Sequence, residues 1–189
     1  HLIGQDGTVV EDDPDKTREA LAFVRQRKPS LPIMVLVNNF TDRIWHGEAV
    51  SRMTAKSEAR AKCIATVLDF VERNGFAGVS LDFEDIPPAG LKNFLRFVTE
   101  TAAAFHAKGL AVSINVPADD QAFPYKAISD VVDQVIVMAY DEHWASGKPG
   151  PIASLPWFTK VLRARAAQIP SSKLVVALGS YAYDWPKGK

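Results

Sequence analysis

The sequence predicts an α/β fold: a parallel sheet of buried strands with helices packed outside it. Five short apolar runs, at residues 31–40, 76–84, 110–116, 134–141 and 173–180, have the length and bounding turn residues of buried strands. The segments between them carry helical periodicity and are long enough for the crossover that each parallel pair requires. Bulk composition agrees, since 189 residues with 47% apolar and 23% charged side chains suit one sizeable core.

The elements follow in order. Residues 14–28 read as the first helix, and 31–40 (LPIMVLVNNF) as a strand ending in a polar Asn pair. Residues 56–73 set Ile64, Val67, Leu68 and Val71 on one helical stripe, with Thr54 or Ser57 as candidate N-cap. The strand 76–84 is followed by a helix at 90–107, where Leu91, Phe94, Leu95, Val98, Ala102 and Phe105 recur at helical spacing and Gly109 is a natural stop. Pro117 ends the strand 110–116. A short helix at 125–131, a strand at 134–141, a helix at 155–168 and a strand at 173–180 complete the pattern.

No composition shift, repeat or low-complexity tract marks a second domain, so residues 1–189 read as one. A doubly wound open sheet and a (β/α)8 TIM barrel both fit the alternation. A complete barrel takes about 250 residues, so on the barrel reading the chain is partial. Twenty-two basic residues balance twenty-two acidic ones, which gives no nucleic-acid footprint. No apolar stretch approaches the ~20 residues of a membrane span. Cys63, the single cysteine, has no internal partner and reads as a small core residue. His143 beside Glu142 lacks a second His or Cys at ligand spacing, and His1, His46 and His106 are scattered, so neither a metal nor another cofactor is expected.

The most informative segment is AGVSLDFED, residues 77–85. Alternate residues of a strand share a face, so Val79, Leu81 and Phe83 point toward covering helices while Ser80, Asp82 and Glu84 point the other way. Carboxylates on the inner face of an apolar strand are costly to bury unless paired. They stand at the C-terminal strand end, where barrel enzymes place their chemistry, and their proximity raises one apparent pKa. A carboxylic acid kept protonated near neutral pH is what protonation of a leaving oxygen requires. The plainer alternative is an acidic strand end meeting solvent.

Ala77-Gly78-Val79-Ser80-Leu81-Asp82-Phe83-Glu84 resembles the Asp-Gly-x-Asp-x-Asp-x-Glu pattern that glycoside hydrolase family 18, the chitinase-like family, carries on its fourth barrel strand. The glycine and the last two acids match; Ala77 and Ser80 replace the first two. Met138-Ala139-Tyr140-Asp141 resembles the family's Met-x-Tyr-Asp at the end of its sixth strand, and residues 142–154 resemble bacterial members continuing Glu-His-Trp and Pro-Gly-Pro-Ile-Ala-Ser. Asn38-Asn39-Phe40, the strand end 113–117 with Asn115, and residues 181–185 (YAYDW) fall where such members have strands three, five and seven. The closest look is to bacterial modules found beside polysaccharide deacetylase and glycosyltransferase modules, and spore-cortex-lytic members of the family come second. The resemblance implies a TIM barrel represented by about strands three to seven.

It also implies a chemistry in which the substrate's own 2-acetamido group attacks the anomeric carbon, so no enzyme nucleophile is needed. Carried over, Glu84 is the general acid and later the base, Asp82 orients the acetamido nitrogen, and Tyr140 hydrogen-bonds the acetamido carbonyl. Asp141, Asn39, Ser80, Asn115, Trp144 and Trp185 are the candidate substrate contacts. Loss of an acid at position 80 should leave Asp82 ionised and weaken proton exchange within the group. Trp144 and Trp185 can stack on a sugar face or pack within their own loops, whereas Trp45 and Trp157 read as packing residues.

The first expectation is therefore a hydrolase of β-linked N-acetylhexosamine polymers, chitin-like or peptidoglycan-type, acting outside the cytoplasm. Covalently attached deacetylase or glycosyltransferase modules are conceivable partners. Two alternatives stand beside it: a carbohydrate-binding module with impaired turnover, motivated by Ser80, and a barrel enzyme using Glu84 as a base on a non-sugar substrate.

Overall fold

The computed structural model describes residues 2–3, 6–11 and 13–185; His1 lies outside them. Its elements are strand β1 (Leu2–Ile3), strand β2 (Val9–Val10), helix α1 (Pro14–Arg27), strands β3 (Met34–Asn38), β4 (Phe40–Thr41) and β5 (Ile44–Trp45), helices α2 (Gly47–Ala55) and α3 (Ser57–Asn74), strand β6 (Gly78–Asp82), a 3-10 turn at Pro88–Gly90, helix α4 (Leu91–His106), strand β7 (Ala111–Pro117), helix α5 (Tyr125–Ser129), strand β8 (Gln134–Met138), helix α6 (Leu155–Ala166) and strand β9 (Leu174–Ala177).

The main sheet runs β2-β1-β3-β6-β7-β8-β9, and every pairing in it is parallel except the antiparallel one between β1 and β2. The five expected strands are all present, shortened at their ends, and β1 adds a parallel strand that sequence reading left out. Among the described residues the sheet does not close, so β2 and β9 stand at its edges.

The core lies between the sheet and its helices. Val35 and Val37, Val79 and Leu81, Val112, Ile114 and Val116, and Val135 and Val137 are all buried, as alternation requires. Against them pack Cys63, Val67 and Val71 of α3 and Phe94, Val98 and Phe105 of α4. Gly75 ends α3 at φ 64°, the left-handed conformation that favours glycine, and its N–H donates to the carbonyls of Glu72 and Val71. Lys56, rather than Thr54 or Ser57, occupies the N-cap of α3. Ser57 is already helical, and Thr54 is buried in the preceding helix α2, which was not expected. That helix buries Gly47, Ala49, Val50, Met53 and Thr54, and its short apolar face merges with the stripe of α3.

The strand expected over 31–40 stops at Asn38 because the chain then folds into the β4–β5 hairpin. Asp42 and Arg43 make its turn at φ 52° and 64°. Two consecutive residues with positive φ are the mark of a type I′ hairpin turn. The opposite sheet face is only partly covered: Leu36 is 41% and Val175 39% exposed.

Candidate active site

The C-terminal ends of the parallel strands share one rim, set by the register Asn38↔Asp82 and Pro117↔Met138. Glu84 stands two residues past the end of β6. Phe83 is buried against Phe94 and Phe97 on the helical side, so Glu84 turns to the opposite side and is half-buried there. Its carboxyl is raised from an ordinary 4.5 to about 7, first by burial and then by the charges of Asp82, Asp85 and Asp141. A group with that pKa is substantially protonated near neutrality, the state required of a general acid. Asn39 holds the Glu84 backbone: its Nδ2 donates to the Glu84 carbonyl at 2.9 Å, and the Glu84 N–H donates to its Oδ1 at 3.0 Å. Asn39 is buried, with both ends of its amide occupied in this way.

Asp82 shares the inner face with Ser80, and both are half-buried. Burial raises the Asp82 pKa, while a hydrogen bond from Asn115 on the neighbouring strand opposes the rise. Losing an acid at position 80 therefore does not simply free Asp82 to ionise, because desolvation disfavours its charged form. Its Oδ1 is buried without a hydrogen-bond partner. Such an orphan acceptor is uncommon and calls for an explanation.

Tyr140 follows β8 and points to the same cavity. Its hydroxyl pKa is raised by burial and then by Glu84, Asp82 and Asp141, which places it in the field of the same carboxylates. Asp141 adopts φ 61° and accepts hydrogen bonds on Oδ1 from the hydroxyls of Tyr181 at 2.6 Å and Tyr183 at 3.0 Å. Tyr140, Tyr181, Tyr183 and Trp185 form a run of edge-on ring contacts with centroids 5.4–6.0 Å apart. The two tyrosines that fix Asp141 were not singled out from the sequence, although the alternation in YAYDW sets both on one side.

A cleft of about 370 Å³ joins Glu84, Tyr140 and Asp141, and Met138, Glu142, Trp144 and Trp157 also line it. Trp144 is 54% exposed, with part of its ring lying against Gly147 of its own loop. Trp157 both packs on the core and lines the cleft, which packing alone does not describe. The loop carrying Trp144 is clasped at its base. The Glu142 N–H donates to the Ile152 carbonyl at 2.8 Å, and its carboxylate accepts from the Ser154 N–H at 2.6 Å and hydroxyl at 3.0 Å. A second cavity of about 280 Å³ meets the first at Glu84 and Pro117 and adds Asp85, Ile86, Leu91, Asp120 and Phe123. Asn39, Ser80, Asp82, Asn115 and Trp185 line neither of these two cavities. Trp185 is half-buried at the end of the tyrosine run, its Nε1 without a partner.

A parallel α/β sheet bearing an acid of raised pKa at its C-terminal rim, beside a second carboxylate, a tyrosine and an aromatic cleft wall, has the features of a glycosidase. The chain belongs to the glycosyl hydrolases family 18, whose model matches residues 2–189. It is 29% identical over 181 residues to the putative sporulation-specific glycosylase YdhD of Bacillus subtilis, covering 92% of this chain and 43% of that protein. The uncharacterized glycosylase YvbX of the same organism is 27% identical over 195 residues, covering 96% of this chain and 54% of YvbX. The crystal structure of YdhD superposes with a TM-score of 0.86 at 26% identity, over 95% of this chain and 60% of that one. A class V chitinase from Pseudomonas fluorescens Pf-5 does so with 0.87 at 25% identity, over 96% and 59%. The chain thus spans about half the length of the curated relatives it matches. Among the described residues no helix is long and apolar enough to cross a membrane.

Proposed function

We propose that this chain supplies the acid-bearing wall of a (β/α)8 barrel that hydrolyses β-linked N-acetylhexosamine polymers by substrate-assisted, retaining catalysis. The observation that carries the reading is Glu84, a half-buried carboxyl held near pKa 7 at the wall of a cleft that Tyr140 and Trp144 also line. Glu84 donates its proton to the glycosidic oxygen as the bond to the anomeric carbon breaks. The acetamido carbonyl oxygen of the same sugar attacks that carbon and forms an oxazolinium ion. The Asp82 carboxylate, half-buried beside Glu84, supports the acetamido nitrogen electrostatically as positive charge develops on it. Tyr140 donates to the acetamido oxygen before attack and keeps it aligned. The Glu84 carboxylate then takes a proton from the water that bonds to the anomeric carbon, the oxazolinium C–O bond breaks to restore the acetamido group, and the configuration is retained. Trp144 offers a ring face for a neighbouring sugar.

In this reading Asn39 is a support for Glu84 rather than a sugar contact, and Asn115 and Ser80 set the surroundings of Asp82. Residues 1–189 act as one barrel segment, outside the cytoplasm, where such polymers lie. Deacetylase or glycosyltransferase modules remain conceivable covalent partners. The test is incubation of the full-length protein with β-1,4 N-acetylglucosamine oligomers and their partly deacetylated forms beside Glu84→Gln, with products read by mass. Shorter products that vanish in the variant are expected, and cleavage retained by Glu84→Gln would refute the assignment.

Ser80 favours one other reading, a glycan-binding module with impaired turnover. With serine at this position, the Asp82 Oδ1 has neither a proton-sharing carboxylate nor any other partner. Oligomer affinity by calorimetry without product would support it, and product formation would remove it.

A further inference from the structure

We propose that Asn39 is the positioning residue for the Glu84 carboxyl, and that its side-chain amide extends the strand ladder by one rung to hold the acid. The inference rests on the reading of Glu84 as the acid. β3 and β6 pair in register from Met34↔Gly78 to Asn38↔Asp82, and there the backbone ladder ends. Glu84 lies beyond it, where strand pairing no longer fixes the peptide. The residue after Asn38 crosses the same gap with its side chain instead. A primary amide offers one carbonyl and one N–H2, the same acceptor and donor as a peptide group. Asn39 uses both on one residue, receiving the Glu84 N–H at 3.0 Å and donating to the Glu84 carbonyl at 2.9 Å.

The surroundings make this grip rigid. Asn39 is 1% exposed, and its own carbonyl accepts from the His46 N–H at 2.9 Å, closing the hairpin that starts at the next residue. At the far end of that hairpin Gly47 backs onto the residue after the acid. A Cβ at position 47 would lie 1.7 Å from the Asp85 carbonyl oxygen, and Asp85 itself sits at φ 57°. The backbone is thus held at Glu84 by Asn39 and at the following peptide, Asp85 to Ile86, by Gly47. Proton transfer tolerates little misplacement, and an error of about 1 Å in a reacting group costs on the order of a hundredfold in rate. Aspartate in place of Asn39 keeps the acceptor but, when ionised, has no donor for the Glu84 carbonyl. Alanine has neither.

The experiment compares wild type, Asn39→Ala and Asn39→Asp in the full-length protein. Its readouts are kcat and KM on N-acetylglucosamine oligomers, the pH profile, and backbone hydrogen exchange of the peptide containing Glu84. Asn39→Ala is expected to lower kcat about 10- to 100-fold with KM within about threefold, because the acid is displaced while the sugar cleft stays. Asn39→Asp is expected to move the basic limb of the profile to higher pH, since a new carboxylate beside Glu84 disfavours its ionised form. Asn39→Ala should also speed exchange at Glu84, whose N–H loses its acceptor, whereas Asn39→Asp keeps that acceptor and should not. A residue that merely stabilised the fold would lower the folded fraction but leave kcat per folded molecule and exchange at Glu84 unchanged. Folded variants with unchanged kcat, limb and exchange would overturn the proposal. If Asn39→Ala does not fold, Asn39→Asp, of equal size, carries the kcat readout, because it loses the donor to the Glu84 carbonyl. If wild type cleaves no oligomer, the glycosidase reading fails on its own, and exchange at Glu84 still decides whether Asn39 holds it.

Discussion

The two faces of the sheet are built from the same strands yet obey different rules. On the face toward the helices, Val37, Leu81, Ile114 and Val135 occupy one row, and each is almost wholly buried among apolar neighbours. On the other face the same strands present Leu36, Ser80, Ser113 and Gln134, then Asn38, Asp82, Asn115 and Ile136, a mixed and partly open surface. The first face gains stability from removing apolar area from water, and many combinations of side chains would serve. The second holds carboxylates whose desolvation costs stability, and only particular partners make them tolerable. Stability and chemistry are therefore separated by one-residue alternation along a single strand, and substitutions at neighbouring positions should have unlike effects.

The largest expected contrast lies between Glu84 and Phe94. Glu84→Gln keeps size and removes the proton donor, so turnover should fall about 10²- to 10⁴-fold while the protein stays folded. Phe94→Ala, in contact with the Phe83 ring that precedes the acid, should cost about 3–5 kcal/mol of unfolding free energy in urea titration. Activity per folded molecule should change far less. A large loss of kcat in still-folded Phe94→Ala would break the separation of the two faces.

The pH dependence sharpens the same contrast. Glu84 is active as the protonated acid, so kcat/KM should decline tenfold per unit as pH rises above about 7. The stability sign follows from the same shift. A carboxyl whose folded pKa is raised binds its proton more tightly in the folded state, so its contribution is fully present below the unfolded value near 4.5. That contribution is lost as pH rises through about 7. Glu84→Gln cannot ionise, so its thermal midpoint should gain on wild type between those limits. Equal midpoints across the range would mean that Glu84 is less desolvated than its position implies.

Much of this was legible in the sequence, for physical reasons that differ by region. Alternation in GVSLDFE assigned Val79, Leu81 and Phe83 to one side and the acids to the other, because strand period alone fixes that choice. Helices α3 and α4 showed as long stripes for the same kind of reason. The β4–β5 hairpin was missed because its turn is Asp-Arg, without the glycine or asparagine that usually marks positive φ. Helix α2 was missed because nine residues hold too few turns for a clear stripe. In the site, Asp82 and Glu84 were singled out by strand alternation and Tyr140 by motif resemblance. The supports were not: Asn39 was grouped with sugar contacts, and Tyr181 and Tyr183 were not linked to Asp141. Those pairs lie 40 to 45 residues apart, and no local pattern reports a contact across such a distance.

The smallest expected effect tests whether those tyrosines matter. Asp141 accepts two hydroxyl hydrogen bonds on the same oxygen, from Tyr181 at 2.6 Å and Tyr183 at 3.0 Å. Tyr181→Phe removes the shorter one and leaves the ring that stacks edge-on with Tyr140. Because Tyr183 still holds the carboxylate, the net loss should be about 1 kcal/mol, or roughly fivefold in kcat/KM on oligomers. The double variant Tyr181→Phe with Tyr183→Phe should lose more than the product of the single losses, since only then is Asp141, at its positive φ, left without either support. Multiplicative losses would mean that each tyrosine acts alone, and that Asp141 is held by its backbone rather than by the aromatic run.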